Sequence, residues 1–273
     1  HRVVVTGMGA VTPVGNALST MWATLIAGRS GAGLITHIDM SQLKTKIGAE
    51  VKDFDPALTI DRQEVRRTDR YTHFALAAAA EAVADAGLSM ERENPRRVGV
   101  IVGSGIGGVS TMFEQYDVLR ERGPRRVSPF TVPSMLANSA SGQVAITLGA
   151  RGPNLAPVLA CATGNACIGE GFALIRRGAA DVIVVGSSEA AFCDLSMAGF
   201  EIMGALSAHN DDPAGASRPF DAGRDGFVMG EGGGMLVLES LAHARARGAS
   251  IHGEILGYGL TAAALLGGLL KVQ

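Results

Sequence analysis

The chain has 273 residues, with 24 Lys and Arg against 26 Asp and Glu, for a formal net charge of −2. That balance gives no electrostatic case for binding nucleic acid or a membrane surface. Hydrophobic residues make up 47%, charged residues 18%, and glycines number 37, a composition suited to tightly packed α/β layers with closely approaching backbones.

In chain order, "RVVVTG" (2–7) reads as a strand and "ALSTMWATLIAG" (17–28) as a helix stopped by Gly28. A polar loop is expected over 29–60, then the basic stretch "RQEVRRTDR" (62–70) and a helix in "FALAAAAEAVADAG" (74–87). "RVGVIVGSG" (97–105) reads as a strand, followed by the cluster "PRR" (124–126) and one helix across "TVPSMLANSASGQVAITLG" (131–149). "LAPVLAC" (155–161) reads as a strand that turns into a helix over "TGNACIGEGFALIRRG" (163–178). "DVIVVGSSEA" (181–190), "GGMLVLES" (233–240) and "HGEILGYG" (252–259) read as further strands, with a long functional loop within 204–226. The apolar runs are continuous rather than alternating, as in strands covered on both faces. Together they predict an α/β chain with a mainly parallel mixed sheet between helix layers.

The three cysteines, Cys161, Cys167 and Cys193, are too few and scattered for a disulfide framework, so a cytoplasmic, reducing setting is expected. The first residues read as strand rather than signal peptide, and no apolar run reaches membrane-spanning length. Cys161 stands where a strand meets a helix start. There the partial positive charge of free N–H groups favours thiolate over thiol, whose ordinary pKa is about 8.5. The competing reading is a small buried hydrophobe. Cys167 falls about 240° around the same helix and reads as core. Cys193 has no partner at metal-ligand spacing, so no metal is expected.

"GSGIGG" (103–108) fits G-x-G-x-x-G through Gly103, Gly105 and Gly108, but the acidic residue expected about 20 positions on is missing. A tight turn beside a packed pocket is the preferred reading. His73 and His243 read as surface or satisfied core histidines. The basic clusters read either as solvated faces or as docking sites for an acidic partner.

Six segments in a consistent order carry a resemblance: "VVVTGMGAVTPVG" (3–15), "VGSGIGG" (102–108), "GPRRVSPFTVPSMLAN" (123–138), "RGPN" (151–154), "ACATGNACIGEGF" (160–172) and "SRPFDAGRDGFVMGEGGGMLVLE" (217–239). They resemble the β-ketoacyl-acyl carrier protein synthases, nearest the elongating condensing enzymes of fatty acid synthesis. The resemblance implies the thiolase-like fold, here its N-terminal half over 1–250, with 251–273 beginning the second half. It implies a decarboxylative Claisen condensation in which Cys161 accepts an acyl chain from the phosphopantetheine of acyl carrier protein, with no further cofactor. Ile106, Gly107, Gly108 and Phe200 match the acyl pocket. Arg66, Arg67, Arg125 and Arg126 match carrier-protein docking positions.

Three departures go with it. The family's two catalytic histidines and its lysine belong to a C-terminal half that this sequence does not contain. Similarity stops near residue 262, before "AALLGGLLKVQ" (263–273). Pro157 and Leu159 alter a strand that the family pairs across its homodimer, which argues against dimerisation in that manner. The expectation is therefore weak acyl transfer with little condensation, and an exposed apolar face open to a complementing chain. The alternatives are a non-catalytic carrier-protein-binding or complementing subunit and, third, a nicotinamide-binding protein.

Overall fold

The computed structural model describes residues 1–261. The apolar segment from 262 onward, where the resemblance ends, lies outside the described residues. The chain opens with β1 (Val3–Val11), α1 (Leu18–Ile26) and the short hairpin of β2 (Gly33–Leu34) and β3 (Ile47–Gly48). Next come α2 (Arg62–Val65), α3 (Arg70–Asp85), β4 (Val98–Gly103), α4 (Val109–Arg122), α5 (Thr131–Met135) and α6 (Ser139–Leu148). Then follow β5 (Asn154–Leu155), α7 (Thr163–Arg176), β6 (Val182–Glu189), α8 (Asp194–Ile202) and α9 (Pro213–Ala216). The last described elements are β7 (Gly232–Ser240), α10 (Leu241–Ala246) and β8 (Gly253–Ile255).

Six strands form one sheet in the order β5-β4-β6-β7-β1-β8. β4 pairs in parallel with β5 and β6, while β7 is antiparallel to both β6 and β1, and β8 is antiparallel to β1. β1, β4, β5 and β6 therefore run in one direction and β7 and β8 in the other. The expected common strand direction holds for the first four. Because β7 enters between β6 and β1, three of the five ladders are antiparallel all the same.

The central strands β1, β4 and β6 are covered on both faces, which explains their unbroken apolar runs. Along β6, Val182 and Val184 enter the cluster under α3 and α6, whereas Ile183 and Val185 enter the one under α7. This is the two-residue alternation of a strand. Each such buried side chain contributes about 1.5–3 kcal/mol. α3 presents Ala75, Ala78 and Ala82 to the sheet and lies so close to β1 that Cβ atoms on Gly7 and Gly9 would strike the carbonyl oxygens of Ala82 and Ala78. The "TGMGA" glycines thus serve helix-on-strand contact.

Several boundaries differ from the sequence expectation. α3 starts at Arg70 because the Asp69 carboxylate caps it, accepting from the Tyr71 amide. The helix expected over 131–149 is two, since Leu136 takes an extended conformation between α5 and α6. The strand expected over 155–161 ends at Leu155. Pro157 has no N–H for a ladder, and the chain instead closes a 3₁₀ turn at Ala160–Ala162. The last expected strand, 252–259, is reduced to the three residues of β8.

Candidate active site

β5, β4 and β6 are parallel neighbours, so their carboxyl ends emerge together, and each leads into a segment singled out above. Such an edge is where α/β sheets present ligand sites. After β5 comes the 3₁₀ turn with Cys161 at its centre, two residues before α7 begins. Ala160 holds a left-handed φ of 49°, a conformation that costs a non-glycine residue energy. Thr163 stabilises the turn: its hydroxyl accepts from the Leu159 amide at 2.9 Å and donates to the Ala160 carbonyl at 2.8 Å. The start of α7 has no side-chain cap, and Cys161 is exposed. The thiol thus sits in a turn that follows β5 by several residues, rather than at the end of a strand as the sequence led us to expect.

After β4 comes the Ser104–Gly108 turn. Gly107 has φ +84° and packs on Ala137, while a Cβ on Gly108 would strike the Ser134 carbonyl oxygen. A Cβ on Gly105 would lie 2.7 Å from Glu189 Oε2 and 3.6 Å from the Ala160 Cα. A Cβ on Gly103 would strike the Pro157 carbonyl oxygen, so the glycines of the G-x-G-x-x-G match are explained by close protein backbone at Gly103 and Gly108 and by the Glu189 carboxylate at Gly105. Ile106 is exposed between Gly105 and Gly107.

Phe200 lies half-buried on α8, edge-on to Phe227 with ring centroids 5.3 Å apart. It packs on a cluster that includes Val109, the first residue of α4, and Met197. The turn bearing Ile106 and the helix bearing Phe200 are thus linked through Val109. A separate cavity of about 610 Å³ is lined by Asp69, Arg70, Phe113, Phe192 and Glu231 among others, and by none of Ile106, Gly107, Gly108, Phe200 and Cys161.

Arg66, Arg67, Arg125 and Arg126 are all exposed. The Arg67 guanidinium lies 5.3 Å from the centre of the Phe130 ring, and its carbonyl accepts from the Ser134 hydroxyl at 2.8 Å. These contacts hold Arg67 against Phe130 and Ser134, a few residues past Arg125 and Arg126 in the chain.

Cys167 is fully buried, and burial pushes its thiol up to about 11, as suits a core residue. Cys193 is buried with its sulfur 3.1 Å from Ser196 Oγ. Among the described residues no group of three or more His, Cys, Asp or Glu could hold a metal ion, and no helix is long and apolar enough to cross a membrane. His73 is held by the Val65 carbonyl at 3.1 Å.

The family model for the N-terminal domain of β-ketoacyl synthases matches residues 1–244. The chain belongs to the β-ketoacyl synthase family. This ketosynthase chain is 51% identical over 260 residues to 3-oxoacyl-[acyl-carrier-protein] synthase 2 of Synechocystis, covering 95% of itself and 62% of that relative. With the enzyme of the same name from Staphylococcus aureus it shares 50% identity, covering 63% of that protein. It therefore spans less than two thirds of the relatives it matches. A β-ketoacyl synthase from Burkholderia phymatum superposes with a TM-score of 0.84 at 34% identity, over 94% of this chain and 63% of that one. A type II PKS ketosynthase, bound to a hexaketide and in complex with its acyl-carrier protein, gives 0.81 at 33%, over 93% and 61%. The thiolase-like ketosynthase fold read from the motifs is thus borne out.

Glu189, Thr163 and Asp69 escaped the sequence reading. Only Glu189 left a usable signal, a charged residue ending the otherwise apolar "DVIVVGSSEA".

Proposed function

We propose that this chain is the nucleophile-bearing part of a β-ketoacyl-acyl carrier protein synthase acting in fatty acid chain elongation. The Cys161 thiolate attacks the thioester carbonyl of an acyl chain on carrier-protein phosphopantetheine. A C–S bond forms to Cys161, the bond to phosphopantetheine breaks, and its thiol departs with a proton. In the second half-reaction malonyl-carrier protein loses CO2 as its C–C bond breaks. The resulting carbanion attacks the acyl thioester and frees the Cys161 thiolate. Nucleophilic relay of this kind divides one difficult step into two. The first step draws on groups present here: an exposed thiol, an uncapped helix start to favour negative charge, and exposed arginines for an acidic carrier. The acyl-transfer half-reaction is the step to which the described groups contribute directly.

The observation that carries the reading is the position of Cys161 in an exposed, strained turn at the shared carboxyl edge of β4, β5 and β6. Intact-mass analysis after incubation with acyl-carrier protein tests it. One acyl group should appear on wild type and none on Cys161→Ala. Arg66→Glu combined with Arg125→Glu should slow the transfer about tenfold or more at low salt, with the difference shrinking as salt screens the contact. Acylation that persists in Cys161→Ala overturns the assignment. Carrier-protein binding that survives this substitution without any acyl transfer in wild type favours the non-catalytic binding subunit instead.

A further inference from the structure

Glu189 closes β6 two residues past the final rung of its parallel ladder with β4, Gly103 opposite Ser187. Its side chain reaches the turn through which β4 leaves the sheet. The Ser104 hydroxyl donates to Oε1 at 2.9 Å and the Gly105 amide to Oε2 at 2.6 Å. Ser104 Oγ in turn accepts from the Gly107 amide at 2.8 Å. Ser104, Gly105 and Gly107 therefore hang from one carboxylate, directly or through one hydroxyl.

The balance of groups around this carboxylate is unusual. Burial raises its pKa, the Ser104 hydroxyl and the Gly105 and Ile106 amides lower it, and the negative charge of Asp69 raises it further. Among the described residues no cation pairs with it. A half-buried carboxylate without a counter-charge is costly, and this one accepts from a hydroxyl and a backbone N–H. The ideal Cβ position of Gly105 that lies 2.7 Å from Glu189 Oε2 lies 3.6 Å from the Cα of Ala160, the residue before Cys161. The carboxylate, the turn and the Cys161 segment therefore meet at Gly105, and Ile106 beside it is exposed.

We propose that Glu189 is a positioning residue: by anchoring the Ser104–Gly107 turn against the Cys161 segment, it sets where Ile106 stands and so which acyl chains Cys161 accepts. The proposal rests on the reading of Cys161 as the acyl acceptor. Glu189 touches neither the sulfur nor the reacting carbonyl. It acts through the turn, and its loss changes discrimination among acyl chains rather than the chemistry of the thiol.

Glu189→Gln keeps the size and removes the charge and one acceptor, and Ser104→Ala removes a single link of the same network. In both variants amide hydrogen exchange across 103–108 should speed up, by about tenfold for Glu189→Gln. Acylation of Cys161 is then timed with a two-carbon and a ten-carbon acyl-CoA. The ratio of the two rates should shift about tenfold in Glu189→Gln, with a smaller shift in Ser104→Ala. Iodoacetamide labelling of Cys161, which needs no acyl pocket, should stay within about twofold of wild type. Equal slowing with both donors, or an unchanged ratio, overturns the discriminating role. Unchanged exchange in both variants overturns the anchoring itself. A wild-type chain that neither donor acylates sinks the acyl-acceptor reading, while exchange still decides the anchor separately.

Discussion

Two carboxylates, one fully buried and one half-buried, stand at opposite ends of one antiparallel ladder, where Val182 faces Glu239 and Glu189 faces Gly232. Glu239, with no exposure at all, is surrounded by partners. The Thr6 hydroxyl donates to it at 2.5 Å, and Arg247 donates through Nε at 2.9 Å and Nη2 at 2.5 Å. His243 Nδ1 lies 2.6 Å away, with its other nitrogen 2.9 Å from Glu93. Burial alone would raise the Glu239 pKa, but the hydrogen bonds from Arg247, Thr6 and His243 bring it below the usual value. For Glu189 burial prevails and the pKa is raised. The same residue type at two ends of one ladder is saturated with donors and cations where strands and helix are clamped together. It is left short of them beside the turn that carries Ile106. Fully partnered buried charge adds to stability, and under-partnered buried charge marks a site under another constraint.

The largest expected effect would break the clamped end. Glu239→Ala strands Arg247 and His243 without their shared acceptor and should lower unfolding stability by about 3–5 kcal/mol, read from urea denaturation midpoints. A loss below about 1 kcal/mol would erase the contrast between the two ends.

A smaller effect follows from pH. Burial lowers the His243 pKa, but the Glu239 hydrogen bond and the Glu93 and Glu239 contacts raise it overall. An unfolded imidazole titrates near 6.5, so the stabilisation from His243 is complete below about pH 6.5 and is lost as pH rises through its folded-state pKa. Glu239 runs the other way, contributing above about pH 4.3 and losing its contribution as pH falls through its lowered value. Midpoints measured from pH 5 to 9 should fall on the alkaline side in wild type, and His243→Gln should flatten that fall.

The smallest effect has the opposite sign. A raised carboxyl pKa means the folded state binds the proton more tightly, so Glu189 opposes folding once pH exceeds about 4.3, most fully above its folded-state pKa. Glu189→Gln should leave the unfolding midpoint at pH 8 unchanged or raised, with no gain at pH 4, even as its local turn loosens. A drop of more than about 1 kcal/mol at pH 8 would place Glu189 with Glu239 as a structural clamp.

Much of the fold could be read directly. The apolar runs of β1, β4, β6 and β7, the glycine stops after α1, α3 and α7, and Cys161 beside a helix start follow from local chemistry, because side-chain period and helix capping act within a few residues. The six ordered motifs carried the family for the same reason, as each is a local requirement for a turn or a close approach. Pro157 was visible too, yet its consequence, replacement of a strand by a 3₁₀ turn that lifts Cys161 into the open, depended on the Thr163 hydroxyl binding Leu159 and Ala160.

What tertiary structure alone decided is the company that each charged group keeps. Arg67 meets Phe130, Arg247 meets Glu239 on a neighbouring element, and Glu189 meets an amide-rich turn 85 residues earlier in the chain. Hydrogen bonding and burial depend on distances across the folded chain, whereas spacing along the sequence constrains only neighbours. The sequence determined the sheet, its helices and the sulfur beside them. Only the fold determined that one carboxylate would be clamped and the other left to hold the turn next to that sulfur.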